Sequence, residues 1–272
     1  MKILVTGATG TVGRQIVEQV LATGHQVRAL TRNPAKAKFP AGVEVVAGDL
    51  TDPATLAPAL EGVEGLHLIN FGGDDYGMLQ TGAEIVALAE KAGVKRVTVL
   101  RGGQDSTVEP AVKASKLAWT FIQPVEFMSN MLEWAPSIRT ERSISVPFGN
   151  RKTAIVHEAD IAAVAAVALT EDGHGGKEYD ITGSEVLTPR DLLRTISQAI
   201  GRDLQFIEFT EAQAREQWQA AGMPTDIIEF MLWVYGNTPV QGYTVTPVVQ
   251  QVTGRPPRTF VQWATEHAND FC

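Results

Sequence analysis

The chain has 272 residues, a formal net charge of −8 and a single cysteine, Cys272. This length suits one large domain, or a domain with a smaller lobe, built around a sizeable core. The excess of acidic residues argues against nucleic acid as the main partner, because surfaces that bind nucleic acid are basic. A lone cysteine excludes an intrachain disulfide, and the scattered histidines have no metal-binding spacing, so no metal is predicted.

No apolar stretch of the sequence is long enough to span a membrane. Met1 leads directly into an apolar run, which leaves no room for a signal peptide. We therefore expect a cytoplasmic protein whose partners include no membrane.

The N-terminal segment combines an apolar run over residues 2–6, a glycine-rich turn and an amphipathic helix over residues 11–23. Gly7, Gly10 and Gly13 punctuate the turn. A strand that leads directly into a helix presents backbone N–H groups at the helix N-terminus, where they bind a pyrophosphate. Glycine lets the chain turn sharply and lets a phosphate approach the backbone closely. The pattern predicts a dinucleotide site, and the alternative is a tight turn that binds no ligand.

The end of the second predicted strand indicates which dinucleotide is bound. An acidic residue there accepts the ribose 2′-hydroxyl of NAD, whereas an arginine accommodates the 2′-phosphate of NADP. This chain has Thr31, Arg32 and Asn33 at that point, and no carboxylate. The sequence therefore predicts NADP(H) as the cofactor. The alternative is that Arg32 is a solvated surface residue.

Strands and helices alternate through the first half of the chain. The predicted strands, most of them continuous apolar runs, are 2–6, 26–30, 44–46, 65–70, 96–100 and 119–123. The predicted helices are 11–23, 53–60, 77–92 and 109–116. This alternation predicts an α/β fold, a Rossmann-type doubly wound parallel sheet with its ligand at the carboxyl ends of the strands.

The alternation fades after Pro124. Beyond it we predict helices at 128–134, 159–169, 189–200, 211–220, 226–233 and 260–267, and strands at 143–146, 178–181 and 205–209. We expect residues 1–125 to form the NADP-binding core, with residues 155–182 returning to the sheet. Residues 126–154 and 183–272 then form a smaller, mostly helical substrate lobe that closes over the cofactor cleft.

Short motifs are spread over most of the chain. They are I-L-V-T-G-A-T-G-T-V-G at 3–13, T-R-N-P at 31–34, V-A-G-D-L at 46–50, L-A-W-T-F-I-Q-P at 117–124, F-M-S-N at 127–130, H-E-A-D-I-A at 157–162, Y-D-I-T-G at 179–183 and T-G-R-P-P-R-T-F at 253–260. Together they resemble the NmrA-like family, an atypical branch of the short-chain dehydrogenase/reductase superfamily. The first three motifs mark the cofactor half of the superfamily, and the later ones are more specific to this branch.

The resemblance implies a set of cofactor contacts. The pyrophosphate would be held at the turn by Gly7, Thr9, Gly10, Thr11 and Val12, and the 2′-phosphate by Arg32. The adenine would lie between Asp49 and Leu50, the ribose and pyrophosphate beside Asn70, Phe71 and Gly72, and the nicotinamide near Gln123, Pro124 and Phe127. For Asp49 an alternative stands beside this role, because the residues that follow it also suit a turn and a helix cap.

The catalytic pair of the classical superfamily members is absent. Those enzymes reduce carbonyls with a Y-x-x-x-K pair and a serine, the tyrosine giving a proton to the substrate oxygen. Here the tyrosines are Tyr76, Tyr179, Tyr235 and Tyr243, and the residues four positions later are Gln80, Gly183, Pro239 and Pro247. The strand that should end in the serine ends in Arg101 and two glycines. Three substitutes are candidates for a catalytic role: Arg101, then Tyr76 and Lys113.

Two functions follow as hypotheses, and the NmrA-like family is known in both. The first is an NADP(H)-dependent oxidoreductase acting on a small aromatic or conjugated molecule, such as a quinone or an enone. The second is a non-catalytic NADP(H) redox sensor that binds a partner protein. Aromatic residues of the second half suit an apolar substrate pocket, but they suit an ordinary core equally well. The apolar stretch around Met231 and Trp233 would also suit a contact within a homo-oligomer.

Overall fold

A computed structural model describes residues 1–74, 77–103 and 106–272. The chain divides into two compact units. The first unit comprises Met1–Pro124, Glu158–Ile181 and Val248–Arg255. The second unit comprises Val125–His157, Thr182–Pro247 and Pro256–Cys272.

In the described part of the chain, seven parallel strands form the central sheet of the first unit, in the order β3-β2-β1-β4-β7-β8-β10. The described strands are β1 (Lys2–Val5), β2 (Gln26–Thr31), β3 (Val43–Ala47), β4 (Gly65–Ile69), β5 (Phe71–Gly72), β6 (Gly77–Met78), β7 (Arg96–Leu100), β8 (Ala118–Pro124), β9 (Ser143–Pro147), β10 (Lys177–Ile181) and β11 (Gln205–Phe209). The order runs outward from β1 in both directions, and in such sheets ligands bind at this switch point. The predicted Rossmann-type fold is confirmed.

Helices of the first unit cover both faces of this sheet, and the helices of both units are given together here. The described α-helices are α1 (Thr11–Ala22), α2 (Ala57–Leu60), α3 (Gly82–Ala92), α4 (Val108–Ala114), α5 (Ala135–Glu141), α6 (Glu158–Thr170), α7 (Pro189–Ile200), α8 (Glu211–Ala220), α9 (Thr225–Gly236), α10 (Val248–Thr253) and α11 (Phe260–Glu266). Leu4 packs with residues of α3 and α4. Its neighbours Ile3 and Val5 are also fully buried and point to the opposite face, because side chains alternate along a strand.

The helix α6 is buried on nearly every side, as its run of alanines and valines predicts. It packs against α1 and against strands β4, β7 and β8. The helix α10 also packs against α6, with Val249 buried, and so belongs to the first unit. The sequence placed this segment in the smaller lobe, because a helix so short has too few apolar residues to reveal its partner.

The second unit has a core of its own. The strands β9 and β11 form a two-stranded parallel sheet, with Ser143 opposite Gln205. Buried side chains on α5, α7 and α11 form much of the main cluster, which includes the fully buried rings of Trp263 and Phe260. The helices α8 and α9 pack together around Ala214, Ile228 and Leu232. Among the described residues, no helix combines the length and the apolar character that a membrane span requires.

Three predicted helices differ from the structure. The predicted helix 77–92 begins only at Gly82, because Gly77–Met78 pairs with Phe71–Gly72 as an antiparallel hairpin. The predicted helix 53–60 is divided into a 3-10 turn at Pro53–Thr55 and the short α2, whose first turn contains Pro58. The predicted helix 128–134 is a 3-10 helix that continues into α5, a helix that no sequence pattern predicted.

Candidate cofactor-binding site

The glycine-rich turn joins β1 to α1 at the switch point of the sheet. Gly7 has a φ of +59°, in the left-handed region that favours glycine. The backbone N–H of Gly10 donates a hydrogen bond to the Gly7 carbonyl at 2.9 Å, which closes the turn. Gly10 then stands as the N-cap of α1, and no side chain caps the helix. The first N–H groups of α1 therefore face the end of the turn, as an anion site requires.

Two glycines of the turn have different steric roles. A Cβ on Gly13 would overlap the carbonyl oxygen and carbon of Gly7, so the first turn of α1 packs directly on the loop. A Cβ on Gly10 would lie 3.2 Å from the Gly7 oxygen, which is tight but not an overlap. Thr9, Gly10 and Thr11 are exposed, whereas Val12 is buried. The exposed backbone of the turn is the surface that the predicted pyrophosphate contacts require.

Arg32 lies one residue beyond β2, and its side chain is 49% exposed. Its Nη1 lies 2.6 Å from Oδ1 of Asp74, a carboxylate that is 99% exposed. A 2′-phosphate could replace that carboxylate, because both are oxygen anions that a guanidinium binds. The neighbouring Thr31 Oγ1 accepts a hydrogen bond from the backbone N–H of Asn33 at 3.2 Å.

The Asp49 carboxylate has a local structural role. Its Oδ1 accepts hydrogen bonds from the backbone N–H of Thr51 at 2.9 Å and from Thr51 Oγ1 at 2.7 Å. Burial disfavours the charged form, but these hydrogen bonds and the charge of Arg32 hold the pKa of Asp49 below its usual value. The turn interpretation thus has direct geometric support, and the adenine contact stays a prediction. Leu50 beside it is buried.

Asn70 connects the ends of two neighbouring strands. Its Nδ2 donates to Oε1 of Glu109 at 2.7 Å, and its Oδ1 accepts from the backbone N–H of Gly102 at 2.7 Å. Glu109 also accepts from the backbone N–H and the hydroxyl of Ser106, at 2.9 and 2.8 Å. No sequence motif indicated a role for Glu109, whose carboxylate is only 5% exposed and therefore needs hydrogen-bond partners. This network fixes the edge of the sheet beside Phe71 and Gly72, which form β5.

Arg101 and Gln123, at the ends of β7 and β8, lie side by side. Arg101 Nη1 donates a hydrogen bond to Gln123 Oε1. Its guanidinium also lies 3.8 Å from Oε1 of Glu109 and 3.9 Å from Oε2 of Glu178, and 5.6 Å from the centre of the Phe121 ring. Two acids thus already balance its charge, which makes it a weaker anion site than a strand-end arginine alone suggests.

Of the other two catalytic candidates, Lys113 lies among the described residues and is held by an acid and two aromatic rings. Lys113 Nζ lies 2.7 Å from Oε1 of Glu178 and above the rings of Trp119 and Phe121, at 5.6 and 5.2 Å from their centres. Tyr76 lies outside the described residues.

Within residues 1–74, 77–103 and 106–272, no group of three or more His, Cys, Asp or Glu side chains could hold a metal ion.

The residues predicted beside the nicotinamide belong to different units. Pro124 ends β8 in the first unit, opposite Ile181 of β10. Phe127 belongs to the second unit, where it forms a single β-bridge with Val156. Their predicted contacts with the cofactor, like those of the turn and of Arg32, remain predictions.

A glycine-rich turn that opens a helix at the switch point of a doubly wound parallel sheet defines a dinucleotide-binding fold. A family model described as NAD(P)H-binding matches residues 7–108. The chain is 35% identical over 284 residues to the NAD(P)H azoreductase of Xenophilus azovorans, a match covering 99% of each protein. It is 36% identical over 283 residues to the (4-alkanoyl-5-oxo-2,5-dihydrofuran-3-yl)methyl phosphate reductase of Streptomyces griseus, again covering 99% of each.

Solved structures share the whole fold. The NADPH-dependent quinone oxidoreductase QOR2 of Escherichia coli, in complex with NADPH, superposes with a TM-score of 0.80 at 25% identity, covering 98% of this chain and 99% of that one. The chain belongs to the same family as these NAD(P)H-dependent reductases, and it carries an NAD(P)H-binding domain. It also shares the fold of the transcriptional regulator NmrA in complex with NADP, with a TM-score of 0.70 at 18% identity, which agrees with the predicted resemblance to the NmrA-like family.

Proposed function

We propose that this protein is an NADP(H)-dependent oxidoreductase that delivers hydride to a small conjugated acceptor, such as a quinone, an azo compound or an enone. The observation that carries the proposal is the full-length similarity to two reductases at 35% and 36% identity. Both names describe reduction with conjugated acceptors, an azo group in one and an unsaturated acyl lactone in the other. The quinone oxidoreductase with the same fold adds a third acceptor of this type.

The cofactor is NADP(H). Arg32, beyond the end of β2, supplies a guanidinium for the 2′-phosphate, and no acid stands in the T-R-N segment to bind a free ribose hydroxyl. The turn from Gly7 to Thr11 supplies backbone N–H groups for the pyrophosphate. The bound cofactor supplies the hydride, and the protein supplies its binding, its orientation and the surrounding charges.

A conjugated acceptor suits a site without the Y-x-x-x-K pair. Reduction of an isolated ketone leaves a strongly basic alkoxide, which needs a proton donor within the site. Reduction of a quinone or an enone spreads the charge over the conjugated system, so water can supply the proton. The residues at the sheet edge, including Gln123 and Arg101, would then orient the reactants rather than protonate them.

The second candidate is a redox sensor that binds a partner protein according to its bound cofactor. The absent Y-x-x-x-K pair favours it, and so do the exposed apolar side chains of α9, such as Phe230 and Trp233, which are 49% and 63% exposed. A sensor would bind NADPH and reduce no acceptor.

The experiment that separates the two candidates is NADPH oxidation with a panel of quinones, azo dyes, enones and simple aromatic ketones. We expect turnover with the conjugated acceptors and little with the simple ketones. The matched control is Gly10→Val, which should lose turnover because it fails to bind the cofactor. Tight NADPH binding without turnover on any acceptor would contradict the oxidoreductase and favour the sensor.

A further inference from the structure

Arg14, the fourth residue of α1, lies against the glycine-rich turn of the first unit. Its Nε donates a hydrogen bond to the carbonyl oxygen of Thr9 at 2.8 Å. Both residues are exposed, so the guanidinium lies on the accessible side of the turn. None of the sequence motifs indicated a role for Arg14, and its contact with the turn emerges only from the structure.

The charges at this end of α1 favour an anion. The N-terminus of a helix carries a partial positive charge, so an acid near it is stabilising and a cation is not. The first turn of α1 nevertheless has no acidic residue and no side-chain cap, and Arg14 stands at its end. A bound anion would stabilise both the helix N-terminus and the guanidinium beside it.

The guanidinium of Arg14 keeps donors for such an anion. In the part of the chain that the structure describes, no carboxylate forms an ion pair with Arg14, whereas Arg32, which is also exposed, pairs with Asp74. The hydrogen bond to Thr9 uses only Nε, which leaves both Nη groups for a phosphate. The same bond occupies a carbonyl oxygen of the turn that would otherwise repel a phosphate.

We infer that Arg14 binds the pyrophosphate of the dinucleotide, beside the backbone N–H groups of the turn. This inference rests on the cofactor part of the proposed function, which the NAD(P)H-binding family model over residues 7–108 supports. The 2′-phosphate proposed for Arg32 is carried by NADP(H) alone, whereas the pyrophosphate is common to both dinucleotides. Arg14 therefore strengthens the binding of NADPH and NADH alike, and Arg32 discriminates between them.

The test is Arg14→Gln, which removes the charge and keeps a residue of similar helix propensity. We expect the Kd for NADPH and the Kd for NADH each to rise about tenfold in fluorescence titrations of the full chain. The matched control is Lys91→Gln, which removes a positive charge from an exposed position of α3 and should keep both affinities. Wild-type affinities in Arg14→Gln would overturn the inference. A loss confined to NADPH would also overturn it, because it would assign Arg14 to the 2′-phosphate.

Two further measurements separate a contact with the cofactor from a structural role of Arg14. Salt screens exposed charges, so added salt should weaken NADH binding more in the wild type than in Arg14→Gln. The melting temperature of the cofactor-free variant should not fall, because removing a cation from the helix N-terminus offsets the lost hydrogen bond to Thr9. A lower melting temperature, with the same salt dependence as the wild type, would make the role structural and overturn the inference.

These binding measurements need no turnover, which keeps the role of Arg14 apart from the proposed hydride transfer. Wild-type protein that binds both dinucleotides but reduces no acceptor would contradict the oxidoreductase and leave the expected loss in Arg14→Gln unchanged. Wild-type dinucleotide affinities in Arg14→Gln, together with normal turnover of a quinone, would contradict the role of Arg14 alone.

Discussion

Arg32 is the residue on which the choice of cofactor depends. Its ion pair with Asp74 is exposed on both sides, and exposed pairs contribute little to stability. A phosphate dianion offers the same guanidinium more charge and more acceptor oxygens than a carboxylate does. Cofactor binding should therefore exchange one partner of Arg32 for a better one.

The first prediction concerns Arg32→Ala. We expect its affinity for NADPH to fall by about 1.5–3 kcal/mol, the worth of a hydrogen bond to a charged group, whereas its affinity for NADH stays the same. Titration of both cofactors by fluorescence measures this. Lys91→Ala, which removes an exposed cation from α3, is the matched control and should bind as the wild type does. Equal affinity of the wild type for NADH and NADPH would contradict the role of Arg32.

The second prediction concerns the competing carboxylate. Asp74→Asn leaves Arg32 without its anionic partner, so we expect NADPH to bind more tightly, by less than about 1 kcal/mol. The gain should shrink as salt is added, because exposed charges are screened. The measurement is a set of NADPH titrations at rising ionic strength. A variant that binds NADPH more weakly would indicate that Asp74 itself contacts the cofactor.

At the scale of elements, two glycines of the glycine-rich turn have different roles, one in the packing of the fold and the other in the binding of a ligand. Gly13 lies in α1 where a Cβ would overlap Gly7, so its small size serves the packing of helix on loop. Gly10 has an extended backbone that any residue adopts, with a φ of −79°, and it is exposed. Its small size serves the approach of a ligand.

The third prediction compares these two positions. Gly13→Ala should lower the free energy of unfolding by about 1–3 kcal/mol, the usual cost of an overpacked site. Gly10→Val should fold as the wild type does but lose NADPH binding, because its side chain fills the space of the pyrophosphate. Thermal melts followed by circular dichroism, together with NADPH titration, measure both. Normal NADPH binding by Gly10→Val would mean that the turn is only structural.

The elements that sequence reasoning predicted well are those set by local pattern. Apolar runs mark the ends of the buried strands β1, β2 and β7, and a cap marks the start of the helix α7. The predicted limits of these elements agree with the structure to within one residue. The start of α3 was wrong because the pairing of Gly77–Met78 with Phe71–Gly72 depends on a contact that no local period shows.

The positions of the strand ends and of the glycine-rich turn around the candidate site were predictable to a similar degree, and the cofactor contacts of these residues stay predictions. The strand ends and the glycine turn could be located from their motifs. The partners of these residues could not, because each partner comes from a distant part of the chain. Glu109 reaches Asn70, and Glu178 reaches Lys113, only once the fold is formed. No spacing rule connects such residues, so these contacts could not be predicted.

At the scale of the whole molecule, the family membership and the fold define an NAD(P)H-binding protein. The central proposal is that this protein transfers hydride from the cofactor to a conjugated acceptor. The most direct measurement uses NADPH that carries deuterium at C4 of the nicotinamide, with an unsaturated lactone or an enone as the acceptor. We expect mass spectrometry to find one deuterium bound to carbon in the product, and none when Gly10→Val replaces the wild type. Because C4 carries one hydrogen on each face of the ring, the label is placed on each face in turn. A reduced product that contains no deuterium with either label, or no reduced product from any acceptor, would contradict hydride transfer by this protein.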